Sequence, residues 1–131
     1  MGELWDIYDE HKKKTGRTIE RGGTIRLEKG EYHIVVTALI MNTKNEILIS
    51  QRAENKKYGL IWECNGGSIL AGETSLEGMI REVKEELGIE FTKKEAIFLK
   101  EIKDHCGNQD FKDIWLFKRN INERGSIDGQ H

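Results

Sequence analysis

Apolar and polar positions along the chain follow two periods, and the change from one to the other lays out its elements. Glu3 to Asp9 mixes apolar and polar residues at the period of a half-buried strand. His11 to Gly30 is rich in Lys, Arg, Gly and Thr and lacks apolar periodicity, so it reads as loop with one short strand near Thr24 to Leu27. Tyr32 to Met41 is a nearly continuous apolar run, which predicts a strand buried on both faces at the centre of a sheet. Turn residues Asn42 to Asn45 then lead to Glu46 to Gln51, an expected antiparallel neighbour, and Leu60-Ile61-Trp62 reads as a further short strand. Ala96 to Ile102 and Phe111 to Lys118 have strand character again.

Between these strand runs the period changes. Leu76, Ile80, Val83 and Leu87 are spaced four, three and four apart, predicting a helix over Glu73 to Leu87 that ends at Gly88. At roughly 100° per residue the apolar stripe covers about 60° of arc, while Glu85, Glu82 and Glu86 fall at about 180°, 240° and 280° from Leu76. Three carboxylates at i, i+3 and i+4 therefore gather away from the core, and each like-charged i, i+4 pair costs roughly 0.2–0.5 kcal/mol on a bare helix. A divalent cation would reverse that cost, and hard carboxylate oxygens suit Mg²⁺ or Mn²⁺. Alone, a glutamate-rich helix face is more often simply solvated.

Length and composition narrow the field. With 131 residues, 37% of them hydrophobic and 34% charged, the chain reads as one domain spanning 1–131. A net charge of −2 offers no global attraction to nucleic acid or an anionic membrane, so a phosphate-bearing ligand must be held locally. Cys64 and Cys106 have no CxxC spacing, and no apolar run is long enough to span a bilayer, which points to a cytoplasmic location. Residues 121–131 are polar and lack helical periodicity, and they read as a flexible tail.

The helix belongs to a longer pattern. From Gly67, five residues lead to Glu73 and seven more to Arg81, followed by Glu82-Val83-Lys84-Glu85-Glu86-Leu87-Gly88-Ile89. This stretch resembles the Nudix box, G-x5-E-x7-R-E-U-x-E-E-x-G-U with U a bulky aliphatic residue, at every defined position. At ordinary residue usage its chance occurrence in so short a chain is below about one in a million. The resemblance implies an α/β fold, an α/β/α sandwich around a mixed sheet. It also implies a metal-dependent hydrolase that cleaves a phosphoanhydride bond in a nucleoside diphosphate linked to another group.

Carried onto this chain, the resemblance makes Glu82, Glu85 and Glu86 metal ligands, with the Gly66 carbonyl as a further one, and Mg²⁺ or Mn²⁺ the cofactor. It makes Glu73 and Arg81 supporting residues of the catalytic set, and Glu86 the general base. Arg52, after the hairpin, is a candidate for substrate phosphate, whereas Lys56 and Lys57 default to the solvated surface. Trp62 and Trp115 read as core, and His33 as a strand residue with a satisfied ring.

Over Leu4 to Phe117 the chain is similar to the branch of the family related to isopentenyl-diphosphate isomerase, through Leu4 to Asp9, Glu31-Tyr32-His33 and Ile49 to Arg52. The isomerases place a catalytic cysteine where this chain has Gly66 and a metal-binding histidine where it has Ser68. An isomerase acting on a prenyl diphosphate and a non-catalytic nucleotide sensor are the two rivals to hydrolysis. Family members commonly continue past the position of Arg119 with another strand and a helix, so the C-terminus reads as shortened. An apolar sheet face would then be exposed, which predicts either a homodimer that buries it or reduced stability.

Overall fold

In the computed structural model, residues 3–23, 26–48, 50–51, 62–63, 65–104 and 109–120 are described. The strands are β1 (Leu4–Tyr8), β2 (Lys14–Glu20), β3 (His33–Met41), β4 (Ile47–Leu48), β5 (Ser50–Gln51), β6 (Trp62–Glu63), β7 (Asn65–Ser68), β8 (Ala96–Asp104) and β9 (Asp110–Lys118). One α-helix, α1 (Ser75–Leu87), lies between β7 and β8, and a single 3₁₀ turn covers Lys93–Glu95.

The main sheet runs β4-β3-β9-β8, with β7 also paired to β3. Strand β3 pairs antiparallel with β4 and β7 and parallel with β9, from His33 opposite Asp110 to Met41 opposite Lys118. A mixed sheet centred on the apolar run is thus what the chain builds. The two faces of β3 are not equally dry: Ile34, Val36, Ala38 and Ile40 are buried, whereas Val35, Thr37, Leu39 and Met41 are half-buried. The even-numbered face joins Met79, Val83, Leu87, Ile89, Phe91, Phe111 and Phe117 in one core cluster. Among the described residues α1 is the sole α-helix, so the second outer layer of the expected sandwich is not among them; 121–131 lie outside.

One expectation is corrected. The short strand of the His11–Gly30 region lies at Lys14–Glu20, paired antiparallel with β1, and not near Thr24 to Leu27: Arg26 and Leu27 are outside any strand, and Thr24 and Ile25 lie outside the described residues. Only Ile19 of β2 is buried, so backbone pairing with β1, not an apolar face, makes it a strand, and no periodicity announces it. In the second arm of the hairpin Ile47 and Leu48 pair antiparallel with β3, as expected, and Ser50 and Gln51 pair with Glu63 and Trp62 of β6; Ile49 lies outside the described residues.

Several contacts fasten the β1–β2 hairpin to the main sheet. Tyr8 and Tyr32 exchange backbone hydrogen bonds at 2.8 and 2.9 Å. Lys12, in the hairpin turn, reaches Asp113 of β9 at 2.8 Å and Glu101 of β8 at 2.6 Å. Asp113 is almost fully buried, and a carboxylate so placed is tolerated because Lys12 pairs with it.

Candidate functional site

Helix α1 starts and stops by its own sequence. Thr74 is the N-cap: its hydroxyl accepts from Glu77 N–H at 3.1 Å, and the Glu77 carboxylate accepts from Thr74 N–H at 2.9 Å, a reciprocal capping box. Gly88 adopts φ 73°, left-handed backbone that glycine enters without steric cost, and its N–H donates to Lys84 O at 2.9 Å. The core face includes Met79, fully buried, which the four-residue stripe left out; Leu76 and Ile80 pack at its margin. Gly78 also goes unnoticed in the sequence, yet a Cβ there would lie 2.4 Å from Ile69 Cγ2. That contact explains a helix-interior glycine, which otherwise costs roughly 0.5–1 kcal/mol relative to alanine.

Arg81 organises the opposite flank. Its Nε donates to Glu73 Oε2 at 2.6 Å and its Nη2 to Glu73 Oε1 at 3.0 Å, a bidentate pair. Nη2 also donates to Ser68 O at 3.3 Å, and Glu73 Oε1 accepts from Leu70 N–H at 2.7 Å. Loop, strand β7 and helix are thereby tied together through two half-buried side chains. The same guanidinium reaches Glu82 Oε2 at 3.0 Å and Glu85 Oε1 at 3.2 Å. Bonding first to Glu73, and then to Glu82 and Glu85, holds its pKa above the ordinary arginine value.

The three glutamates are not equivalent. Glu85 is exposed, with 60% of its side chain accessible, but Glu82 retains only 13% because β7 runs along that flank. The face opposite the core is therefore open to solvent at Glu85 and Glu86 and is lined by protein at Glu82. Gly67 makes room for this: a Cβ on it would stand 2.6 Å from Glu82 Oε1. Burial raises the Glu82 pKa, and the nearby charges of Glu85 and Glu3 add to the rise against the pull of Arg81. Glu86 accepts from Gly66 N–H at 3.2 Å. Partial burial lifts its pKa to about 7, with Glu82 contributing, although Asn65 and Gly66 favour the charged form. Asn65, buried at the start of β7, is a site residue the sequence did not single out; only its place before Gly66 and Gly67 could have drawn notice.

The donor chemistry of Glu82, Glu85 and Glu86 fits a hard divalent cation. Among the described residues, however, no three His, Cys, Asp or Glu side chains stand close enough together to chelate one as they are. Arg81 draws Glu82 and Glu85 to one side, and Glu86 is turned to Gly66. Arg52, Lys56, Lys57, Cys64 and Cys106 lie outside the described residues, as does the Trp62 side chain. Trp115 is partly buried against the core with its Nε1 donating to Ser75 Oγ at 3.0 Å, and His33 is a buried residue of β3.

The family model for the NUDIX domain matches residues 31–124, well over half of the chain. The chain belongs to the Nudix family. It is 35% identical over 123 residues to a Nudix hydrolase of Listeria innocua, covering 91% of this chain and 69% of that protein. It is 42% identical over 89 residues to a Nudix hydrolase of Listeria monocytogenes, covering 66% of this chain and 52% of the relative, so the match spans about half of that relative's length. A solved structure of a Deinococcus radiodurans protein superposes with a TM-score of 0.72 over 94% of this chain and 76% of the other, at 21% identity, and shows the shared fold. This Nudix domain is accordingly of the α/β class, and the family is one of hydrolases that act on nucleotide derivatives and generally use divalent metal ions. Among the described residues no helix is long and apolar enough to cross a membrane.

Proposed function

We propose that this Nudix domain is a Mg²⁺- or Mn²⁺-dependent pyrophosphohydrolase that cleaves a phosphoanhydride bond in a nucleoside diphosphate linked to another group. The observation that carries the reading is the Glu73–Arg81 strap, which fixes β7 and its two glycines against the helix face bearing Glu82, Glu85 and Glu86. Those three carboxylates, with the Gly66 carbonyl, would hold the cation, which would neutralise the diphosphate and activate a water for attack at phosphorus. Glu73 and Arg81 orient, and Glu86 takes the proton of the attacking water. Arg52 contacts substrate phosphate, and the enzyme works in the cytoplasm as a homodimer, without nucleic acid or membrane as partner.

Gly66 weighs against the isomerase alternative. A Cβ at this position would lie 2.1 Å from Val36 O, so a cysteine could not stand there without moving β7 away from β3. The presence of the full carboxylate set, Glu82, Glu85 and Glu86, weighs against a sensor that binds without turnover.

The test is a phosphate-release screen with Mg²⁺ or Mn²⁺ over nucleoside di- and triphosphates, dinucleotides, nucleotide sugars and prenyl diphosphates. A nucleotide derivative is the expected substrate, and Glu85→Gln and Glu86→Gln are each expected to lose at least about 100-fold in kcat, the scale of a lost acid–base group. Full activity in both variants would overturn the site assignment, and proton exchange into isopentenyl diphosphate would revive the isomerase.

A further inference from the structure

Toward α1, strand β7 presents a single side chain, that of Asn65. Asn65 and Gly67 pair with Ala38 and Val36 of β3, which belong to the core cluster that holds Met79, Val83 and Leu87 of α1. Positions 65 and 67 therefore face the helix, and Gly66 between them faces the other way. A Cβ on Gly67 would meet Glu82 at 2.6 Å, and the Asn65 side-chain amide donates to the Glu86 carboxylate. Two residues of strand rise about 6.6 Å and four residues of helix about 6 Å, so positions 65 and 67 match 86 and 82 step for step. The glycine makes room for one carboxylate, and the asparagine reaches the other.

Asparagine is an unexpected residue at this place in the sheet. Asn65 is only 6% exposed, and an amide taken out of water favours burial only if it gains a hydrogen bond. Its acceptor, Glu86, is exposed and would be solvated without it. What the bond changes is where the carboxylate points. Gly66 N–H donates to the same carboxylate at 3.2 Å, so β7 sets two donors on Glu86. Glu82 stands beside Glu86 and is held by Arg81 at 3.0 Å. Like charges one turn apart would swing away from each other on a free helix, and here each has a donor that restrains it.

We propose that Asn65 is a positioning residue of the carboxylate site: its amide holds Glu86 beside Glu82, as Arg81 holds Glu82, so that a divalent cation meets two ligands already arranged. Asn65 acts through Glu86 and touches neither cation nor phosphate. The inference rests on the reading of Glu82 and Glu86 as metal ligands given above, but cation binding is measured without substrate.

The experiment replaces Asn65 by leucine, of similar size, and by alanine, which is smaller; neither can donate. Asn65→Leu is expected to keep the wild-type urea midpoint or exceed it, because a buried amide gives way to an apolar side chain and Glu86 passes to water. In both variants Mn²⁺ binding, read by EPR from the free-ion signal, is expected to weaken about tenfold, and kcat at saturating Mn²⁺ to fall about tenfold with KM changed less than about twofold. The same loss from a larger and a smaller side chain assigns it to the missing donor, and the alanine variant carries the test should leucine fail to fold. Mn²⁺ binding as tight as in the wild type or tighter, or kcat preserved, would overturn the positioning role and leave hydrolysis standing. Weakened Mn²⁺ binding in a chain that hydrolyses no nucleotide would keep the role and discard the hydrolase.

Discussion

A single methyl group separates the site from a broken one at Gly67. Its added Cβ would meet the end of the Glu82 side chain and not backbone, so the carboxylate would swing aside while the fold persisted. Gly67→Ala is therefore expected to lower kcat by about tenfold or more with little change in the urea midpoint, a split that parallel kinetics and denaturation read out. Protonation acts at the same scale. Glu86 titrates at about 7 in the folded chain against an ordinary 4.5, so the metal-free fold binds this proton more tightly than the unfolded chain. Its contribution to stability is complete below about 4.5 and is lost as the pH climbs to about 7. Glu95 acts in the opposite sense: the Arg119 guanidinium holds it down at about 2, a contribution present above 4.5 and lost as the pH falls through about 2. Urea midpoints measured in EDTA should therefore decline between pH 5 and 7, and Glu86→Gln should flatten that decline. An undiminished decline in the variant would place its origin elsewhere.

At the scale of elements, the helix was legible because it carries its own signals, an apolar stripe and Gly88 at its end; its capping box, Thr74 with Glu77, was read only from the structure. Removing the Thr74 hydroxyl leaves an orphan N–H at the first turn, and Thr74→Ala is expected to cost about 1 kcal/mol, visible as a lowered thermal midpoint with kcat intact. Strand β3 was legible for a similar reason, since a run of ten mostly apolar residues can be placed only inside a sheet. Strand β2 was not, because six of its seven residues are exposed and its conformation comes from hydrogen bonds to β1. The neighbours of the hairpin arm were hidden too: nothing in Ile47-Leu48 or Ser50-Gln51 states that the former pair with β3 and the latter with β6.

At the scale of the molecule, β8 ends the main sheet, and Ile97, Phe98, Leu99 and Ile102 on it are 41–46% exposed. That is the apolar surface on which the expected homodimer turns. Sedimentation velocity over a concentration series should show dimers that Leu99→Lys dissociates; a monomer at every concentration would retire the expectation. The sequence by itself determined the family and the mixed α/β class and singled out Glu73, Arg81, Glu82, Glu85 and Glu86 as candidates, because their spacing is a local property of one loop and one helix. Tertiary structure decided the rest: that Arg81 spans Glu73, Glu82 and Glu85 at once, that Glu82 is sheltered by β7, that Asn65 reaches Glu86, and that Trp5 and His33, 28 positions apart, stack their rings. The physical reason is that burial and the meeting of distant side chains depend on which strands pair, and a local stretch of sequence does not name its partner.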